Sequence, residues 1–490
     1  MSNDHGRAGE QQRSVRRAMK RAELTVEQLW LRYLGIGGEA GFLEVDAYVH
    51  GLGSLPPLQR DILAQAINER LDELTWTHRA VYSRPVRDAE PRGDAFAALV
   101  RLLEGTELAP PDRLPSVAEA AGKALGVRIT IYLVDYEQQC LQPLRHPDTG
   151  DKDSALDVDT TLAGRAFQQA RIQPSATSAG PRLWVPLLDG AERLGVLEVA
   201  VDSVDDLHDP GLRVQCRWLS HLLGHMVTLL SQYGDVFDRT RLRTQRTVNA
   251  ELIWSLLPPL TAGVDGFVVT GVLEPGHTVS GDAFDYALSE STATLIVLDS
   301  VGRDLRSGLV AAAALAAHRS ARHAGHGLHE QARLIDQTIG RQFGDAVSVT
   351  AVLAELDLAS GRLRYINAGH PDPLIMRAGE VVEPLGAGRC RPLGSGVGDI
   401  EVGAQTLRPE DLLVLCTDGI TEARDEAGDP FGEARLTDFL RRETAVAHPL
   451  PEIARRLINA VIAHQNETPR DDATILLARW TRPSRPTGAT

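Results

Sequence analysis

Four aspartates in the C-terminal half of the chain have the residue type and the surroundings for metal chemistry. They are Asp282 in VSGDAFD, Asp299 in VLDSVG, Asp418 in CTDGITEA and Asp471 in RDDATILL. The first, third and fourth adjoin β-like apolar runs, so strand ends would present their carboxylates. Mg²⁺ and Mn²⁺ take carboxylates, carbonyls and waters as ligands and ignore soft ligands. The four together predict a hydrolase that uses two metal ions, although a single Asp-Gly is also a common turn signal.

Five ordered motifs resemble those of the metal-dependent PPM protein phosphatases, and most closely their bacterial SpoIIE-like and RsbU-like branch. The motifs are VSGDAFD, LIVLDSVG, YINAGHPDPL, LLVLCTDGITEARD and RDDATILL. The resemblance covers residues 258–480 and implies a phosphatase domain with an α-β-β-α sandwich. It also implies a substrate, namely a phosphorylated anti-sigma factor antagonist of the STAS type.

The resemblance assigns the four aspartates and one backbone carbonyl to two metal ions, Mn²⁺ or Mg²⁺. Asp282 and Asp299 match the bridging or first-metal ligands, together with the carbonyl of Ser300, while Asp418 and Asp471 match ligands of the second metal. Two such cations can share a water, lower its pKa and clamp the phosphoryl oxygens. Because no covalent phosphoenzyme is needed, the four cysteines of the chain are expected to be core residues.

Several neighbours of these aspartates have two interpretations each. Asp304 stands where the family has Gly, and is either the N-cap of the alanine-rich helix that follows or a fifth carboxylate beside the metals. Arg303 stands where the family often has His or Lys, and its guanidinium suits a substrate phosphate. His370 is either a turn histidine or a catalytic one. Asp472 should face away from the metals if Asp471 faces them, since successive strand residues point to opposite faces.

Length and composition limit the class of protein. A chain of 490 residues is too long for one core and predicts about three domains. It has neither an uninterrupted apolar run of about 18 residues nor the apolar segment of a signal peptide, so we expect no membrane span. Four cysteines without close spacing indicate reduced thiols in the cytoplasm. A net charge of −15 argues against a nucleic-acid surface.

The N-terminal part of the chain is predicted to contain a tail and two domains. Residues 1–22 are polar and predicted to be disordered. Residues 23–92 read as a helical domain, which opens with a capping box of Thr25 and Gln28. Residues 95–207 alternate apolar and polar positions around one helix, and DTTLAGRAFQQARI with RLWVPLLDGAERLGVLEVAVD resembles a GAF sensor domain. GAF domains bind a small ligand or serve as empty dimerisation modules, and both possibilities remain open here.

Residues 210–257 are predicted to form a helical, coiled-coil-like linker. Leu219, Met226 and Tyr233 recur every seven residues, interleaved with Leu222, Leu229 and Val236. A parallel two-helix linker in a homodimer would produce this stripe, but so would core packing against the GAF-like domain. Residues 481–490 are predicted to be a second disordered tail.

Together these features predict a multidomain α+β protein: a cytoplasmic protein serine/threonine phosphatase controlled by a GAF-like module. The alternative is a signalling scaffold whose phosphatase fold is weakly active or inactive. Asp304 is the main sequence support for the scaffold, and the presence of all four metal aspartates is the evidence against it. A nucleotide cyclase is disfavoured because the C-terminal half lacks the pattern that such an enzyme requires, namely an Asp/Asp pair together with Lys and Arg/Asn.

Overall fold

A computed structural model describes residues 2–36, 38–74, 93–145, 154–178, 180–274, 281–302, 304–344, 347–466 and 471–481. The chain divides into two compact units, Met1–Glu90 and Pro91–Thr490. Within the described ranges, no helix is both long enough and apolar enough to cross a membrane.

The first unit is helical. Its helices are α1 (Ser2–Arg21), α2 (Val26–Gly35), α3 (Phe42–His50) and α4 (Pro57–Leu74). Helix α2 begins with the predicted capping box, in which the Thr25 hydroxyl accepts from the Gln28 amide and the Gln28 side chain accepts from the Thr25 amide. Leu29, Leu63 and Ile67 are fully buried and form the centre of the unit's core.

The prediction of a disordered tail over residues 1–22 is wrong, because this segment contains helix α1. Val15, Ala18 and Ala22 are buried in the core of the first unit. Their spacing of three and four residues places them on one face of a helix. The polar composition of the segment conceals this narrow apolar face.

The second unit begins with an α+β domain of residues 94–230, which we call the middle domain. Its elements are α5 (Asp94–Thr106), α6 (Leu114–Ala124), β1 (Arg128–Val134), β2 (Cys140–Pro143), β3 (Leu156–Asp157), α7 (Leu162–Gln169), β4 (Gln173–Thr177), β5 (Gly180–Asp189), β6 (Glu192–Ala200) and α8 (Pro210–Leu230). The strands form one antiparallel sheet in the order β3-β2-β1-β6-β5-β4. Ile131 and Leu133 share a core with α8, whereas Tyr132 and Val134 pack with Phe167 of α7. The alternation seen in the sequence therefore marks a strand with both faces buried.

The segment 210–257, predicted to be a helical, coiled-coil-like linker, contains three separate helices. Helix α8 packs along β5, and its Leu219, Leu223 and Val227 are buried in the core of the middle domain. The helix ends at Leu230, and two short helices follow, α9 (Val236–Arg241) and α10 (Val248–Leu256). Core packing, the other interpretation of the heptad pattern, accounts for the stripe only in part, because Leu219 is buried whereas Leu229 and Tyr233 are exposed.

The rest of the second unit contains two further sheets flanked by helices. Its elements are β7 (Thr261–Val264), β8 (Phe267–Glu274), β9 (Asp282–Leu288), β10 (Thr292–Ser300), α11 (Leu305–His323), α12 (Leu328–Phe343), β11 (Val349–Asp357), β12 (Arg362–Ala368), β13 (Leu374–Arg377), β14 (Glu380–Pro384), β15 (Arg389–Cys390), β16 (Gly403–Thr406), β17 (Leu412–Cys416), α13 (Asp418–Thr421), α14 (Gly432–Ala445), α15 (Leu450–His464) and β18 (Ala473–Trp480). The first sheet has the order β15-β12-β11-β10-β9, with β16 also paired to β12. The second sheet has the order β14-β13-β17-β18-β8-β7.

Strand alternation shows how these layers stack. Leu413 and Leu476 of the second sheet share one core with the first sheet and with helices α11 and α12. Their neighbours Val414 and Ile475 pack instead with helices α14 and α15. Since successive strand residues point to opposite faces, the second sheet lies between the first sheet and α14–α15.

Candidate active site

The first sheet contributes two of the candidate ligands from adjacent strands. Asp282 is the first residue of β9 and Asp299 is the penultimate residue of β10, and the two are cross-strand partners in the antiparallel pair. Asp282 is only 3% exposed. Ser300 follows Asp299 and is also buried, and its amide donates to the carbonyl of Gly281 at 3.0 Å. Two carboxylates and a buried carbonyl thus lie at one edge of this sheet.

The second sheet contributes the other two aspartates from the ends of its central strands. Strand β17 ends at Cys416, and Asp418 is the first residue of the short helix α13. Asp471 lies two residues before β18, and its carboxylate accepts from the Asp472 amide at 3.1 Å. Because β17 and β18 are antiparallel neighbours, the end of one and the start of the other meet at the same edge of the sheet.

Hydrogen bonds join these halves across the sheets. The Thr417 hydroxyl donates to the carboxylate of Asp282 at 2.7 Å, and itself accepts from the Thr474 amide at 3.1 Å. The Gly281 amide donates to the carboxylate of Asp472 at 2.7 Å. The sequence pointed to neither contact, because each joins residues that are far apart along the chain.

Asp472 does not face away from the site, contrary to the sequence-based expectation. It is 6% exposed, and its carboxylate reaches the residue before Asp282. The expectation assumed that Asp471 and Asp472 both belong to a strand, but β18 begins only at Ala473. Strand alternation therefore does not apply to this pair.

The carboxylates of the two sheets interact electrostatically. Burial raises the pKa of Asp282 well above its ordinary value, and Asp299 and Asp472 raise it further. Burial also raises the pKa of Asp299 to about 7, with added repulsion from Asp418 and Asp471. The pKa of Asp418 is raised by burial and then by Asp471. Each half of the site therefore makes ionisation of the other half less favourable.

The donor set fits a divalent cation in its chemistry. All candidate side chains offer carboxylate oxygen, which hard cations prefer, and their mutual repulsion is what a bound cation would relieve. Among the residues that the structure describes, however, no group of three or more Asp, Glu, His or Cys side chains is already arranged to hold a metal ion. Binding would therefore draw the carboxylates of the two sheets closer together.

Asp304 is an N-cap. Its carboxylate accepts from the Ser307 amide at 3.1 Å at the start of α11, in extended backbone with φ of −133°. The positive φ of this turn belongs to Gly302, at 118°. Asp304 therefore needs no glycine-like conformation, and its carboxylate has a structural role. Arg303 lies outside the described residues.

His370 is a buried turn residue. It is 3% exposed, its Nδ1 lies 2.9 Å from the Thr350 hydroxyl, and its amide donates to the Asn367 side chain at 2.8 Å. Burial lowers the pKa of His370 to about 4, so the imidazole is neutral at pH 7. These contacts fit the interpretation as a turn histidine held by its neighbours.

The C-terminal part of the chain is similar to a known protein family. Residues 289–481 match the family described as Stage II sporulation protein E (SpoIIE). Protein IcfG from Synechocystis is 24% identical over 254 residues, which are 45% of this chain and 39% of that protein. The chain thus spans well under half the length of this relative.

Solved structures give similar matches. The RsbU and RsbW domains of a Mycobacterium tuberculosis protein match with 28% identity, 46% coverage of this chain, 63% of theirs and a TM-score of 0.39. The SiaA-PP2C domain of Pseudomonas aeruginosa matches with 27% identity, 43% coverage of this chain, 85% of its own and a TM-score of 0.39. The C-terminal part of this chain is thus similar to the SpoIIE family over residues 289–481, and it carries the five motifs described above.

Proposed function

We propose that the chain is a protein serine/threonine phosphatase that works with two Mn²⁺ or Mg²⁺ ions. Asp282, Asp299 and the Ser300 carbonyl would hold one ion, and Asp418 and Asp471 the other. The observation that carries this proposal is the mutual electrostatic effect of carboxylates that come from the ends of two facing sheets. Bound there, the ions would supply a water of lowered pKa and positive charge for the phosphoryl oxygens.

The site's own charges explain why cations are needed at all. A phosphoserine carries a charge of about −1.5 to −2 at neutral pH. Such a group would be repelled by the five carboxylates of the site, which belong to Asp282, Asp299, Asp418, Asp471 and Asp472. The Thr417 hydroxyl orients Asp282, and the buried Ser300 lies between Asp299 and the capped helix α11. These residues hold an anionic site that accepts a phosphate only once its charge is compensated.

We propose a phosphorylated STAS-type anti-sigma factor antagonist as the substrate, because the five motifs resemble the RsbU-like branch of the family. The test uses the full chain with a phosphoserine peptide and with a phosphorylated STAS protein. We expect phosphate release from both in Mn²⁺, faster release from the STAS protein, and none in EDTA. Release that continues in EDTA would exclude the two-metal mechanism, whereas equal rates would exclude only the substrate assignment.

We also propose that the middle domain is a GAF-like regulatory module. The support is a buried ion cluster, which we call the junction cluster. Arg193 of β6 contacts Glu452 of α15 at 3.3 Å, and both side chains are nearly inaccessible to solvent. Arg455 donates to Glu452 at 2.9 and 3.0 Å and also pairs with Asp159 of the middle domain. If one side chain of such a buried ion pair moves away, the charge of the other is left uncompensated. The cluster therefore favours one defined arrangement of its side chains.

Helix α15 gives the junction cluster a route to the active site. It packs against β8 and β18, and Asp471 follows it along the chain. Arg455 also donates to the carbonyl of Gln138, in the turn between β1 and β2, at 3.3 Å. A displacement of β6 or of this turn would therefore act on the helix that precedes a candidate metal ligand. This is the contact through which we propose that the middle domain controls the phosphatase.

A cavity beside this junction is our candidate for the ligand site of the middle domain. Its volume is about 540 Å³, within the range of small-molecule sites. It is lined by Tyr136, Glu192 and Trp254, together with the end of α8 and the first residues of β7. The Glu192 carboxylate accepts from the Thr261 amide, so a ligand here would touch both the middle domain and the phosphatase domain.

We propose that the protein is a homodimer, with α8 as a candidate contact. Trp218, Leu229 and Tyr233 are 52%, 58% and 65% exposed on or just after this helix. Exposed large apolar side chains that together form a patch mark interaction sites. The alternative function, an inactive scaffold, is weakened because Asp304, its main support in the sequence, caps α11.

A further inference from the structure

We propose that Asp472 is a positioning residue, which ties the two sheets together so that their candidate metal ligands face each other. This inference rests on the proposed two-metal function. It assigns to Asp472 a role that neither the ligand set nor the family resemblance gives it. Asp472 would bind no metal itself, and would act through the backbone beside Asp282.

The tie is a single hydrogen bond between the two halves of the site. The Gly281 amide donates to the Asp472 carboxylate at 2.7 Å, across 191 residues of sequence. Gly281 immediately precedes Asp282 of the first sheet, and Asp472 immediately follows Asp471 at the edge of the second. The hydrogen bond therefore joins the neighbours of two candidate ligands that the chain delivers from opposite sheets.

Both ends of this bond are held in place by close backbone packing. A side chain on Gly281 would come within 2.7 Å of the Ser300 carbonyl oxygen, while the Ser300 amide donates to Gly281. A side chain on Gly419 would come within 1.8 Å of the Asp472 carbonyl oxygen. Gly281 is thus fixed against β10 and Asp472 against α13, so the bond between them sets the separation of the sheets at this edge.

A second tie supports this interpretation because it works differently. The Thr417 hydroxyl donates to the carboxylate of Asp282 and so orients the ligand itself. Asp472 instead accepts from the amide of Gly281, in the peptide before Asp282. A backbone tie of this kind restrains the strand end, while the ligand side chains can still move when a cation binds.

Two variants of the full chain distinguish the effect of the position of the Asp472 carboxylate oxygen from the effect of its charge. Asp472→Asn keeps an acceptor oxygen at the same place and removes the charge, whereas Asp472→Glu keeps the charge and moves the acceptor by one methylene. The probe is Mn²⁺ alone, and its dissociation constant is measured by electron paramagnetic resonance on metal-free protein. Thermal unfolding in EDTA serves as the control for folding.

A positioning role predicts that Asp472→Asn stays within about threefold of the wild-type Mn²⁺ affinity, while Asp472→Glu loses roughly 10- to 100-fold. The reverse order would show that Asp472 acts through its charge and would overturn the proposal, as would two unaffected variants. If Asp472→Glu does not fold, Asp472→Asn decides alone, since a loss of 10-fold or more (about 1.4 kcal/mol) contradicts the role. A wild-type chain that binds no Mn²⁺ would overturn the two-metal function and this inference with it, whereas failure of the variants alone affects only Asp472.

Discussion

Asp282 and Asp299 are cross-strand partners at the edge of the first sheet, and burial raises the pKa of both carboxylates. Directly paired like charges destabilise a sheet unless something compensates them. A cation bound as proposed above would compensate the charge of this pair.

Asp418→Asn and Asp471→Asn should each abolish most of the phosphatase turnover. Either change removes one anionic donor with little change of shape, so we expect turnover to fall by at least about 100-fold. The metal-free protein should unfold at the same temperature or higher, because repulsion between Asp418 and Asp471 is relieved. Asp425→Asn, outside the site, is the matched control. Near wild-type turnover in either site variant would show that its ligand was assigned wrongly.

The stability of the metal-free protein should fall as the pH rises toward neutrality. The pKa of Asp299 is raised to about 7, mainly by burial, so the folded state holds this proton more tightly than the unfolded state does. The resulting stabilisation is complete below the unfolded pKa and is lost as the pH rises through the folded pKa. Thermal unfolding in EDTA between about pH 5 and 8 measures it.

Two comparisons isolate the contribution of Asp299 to this pH dependence. Asp299→Asn should flatten the curve, and saturating Mn²⁺ should do the same in the wild-type protein. Burial also raises the pKa of Glu192 to about 7, so Glu192→Gln is needed as a parallel control. An Asp299→Asn variant with an unchanged slope would mean that other buried groups account for the effect.

Asp304 should affect stability but not metal binding. As an N-cap, its replacement by Ala should reduce the free energy of unfolding by about 0.5–2 kcal/mol, and replacement by Gly or Asn by a few tenths. The Mn²⁺ concentration for half-maximal activity should stay the same in all three variants. A tenfold shift of that concentration in Asp304→Gly, with stability preserved, would restore the fifth-carboxylate interpretation.

Local sequence patterns predicted the features that depend on interactions between residues close together in the chain. The capping box of Thr25 and Gln28 fixes the start of α2, because both its hydrogen bonds lie within one turn. Alternation over β1 identified a strand, and the order of the motifs predicted that aspartates from separate strands would meet. Helix α1 was missed because its apolar face is narrow and includes a residue as small as Ala18.

Tertiary contacts explain what the sequence could not decide. The stripe from Leu219 to Tyr233 fits a coiled coil and a core helix equally well, and only the packing of α8 on β5 distinguishes them. The role of Asp472 depends on Gly281, which is distant in sequence, and the junction cluster depends on Arg193 and Glu452. In both cases the residues are too far apart along the chain for helical or strand periodicity to reveal the contact.

The last prediction concerns the junction cluster. Glu452→Ala should leave the Arg193 and Arg455 guanidinium groups buried without their common partner, which costs about 3–5 kcal/mol when a buried pair is broken. The half-exposed Arg456 also contacts Glu452, so Arg456→Ala is the matched control, with an expected cost below about 1 kcal/mol. Thermal unfolding of the full chain measures both.

If the cluster passes the state of the middle domain to the active site, Glu452→Ala should also change the rate of peptide dephosphorylation. Coupling energies of about 0.5–2 kcal/mol correspond to roughly 2- to 30-fold in rate. Arg456→Ala should leave the rate unchanged. The rate has to be measured well below the unfolding temperature of each variant, so that loss of folded protein does not imitate control. A Glu452→Ala variant that is destabilised but dephosphorylates the peptide at the wild-type rate would show that the cluster only holds the domains together, and that regulation uses another contact.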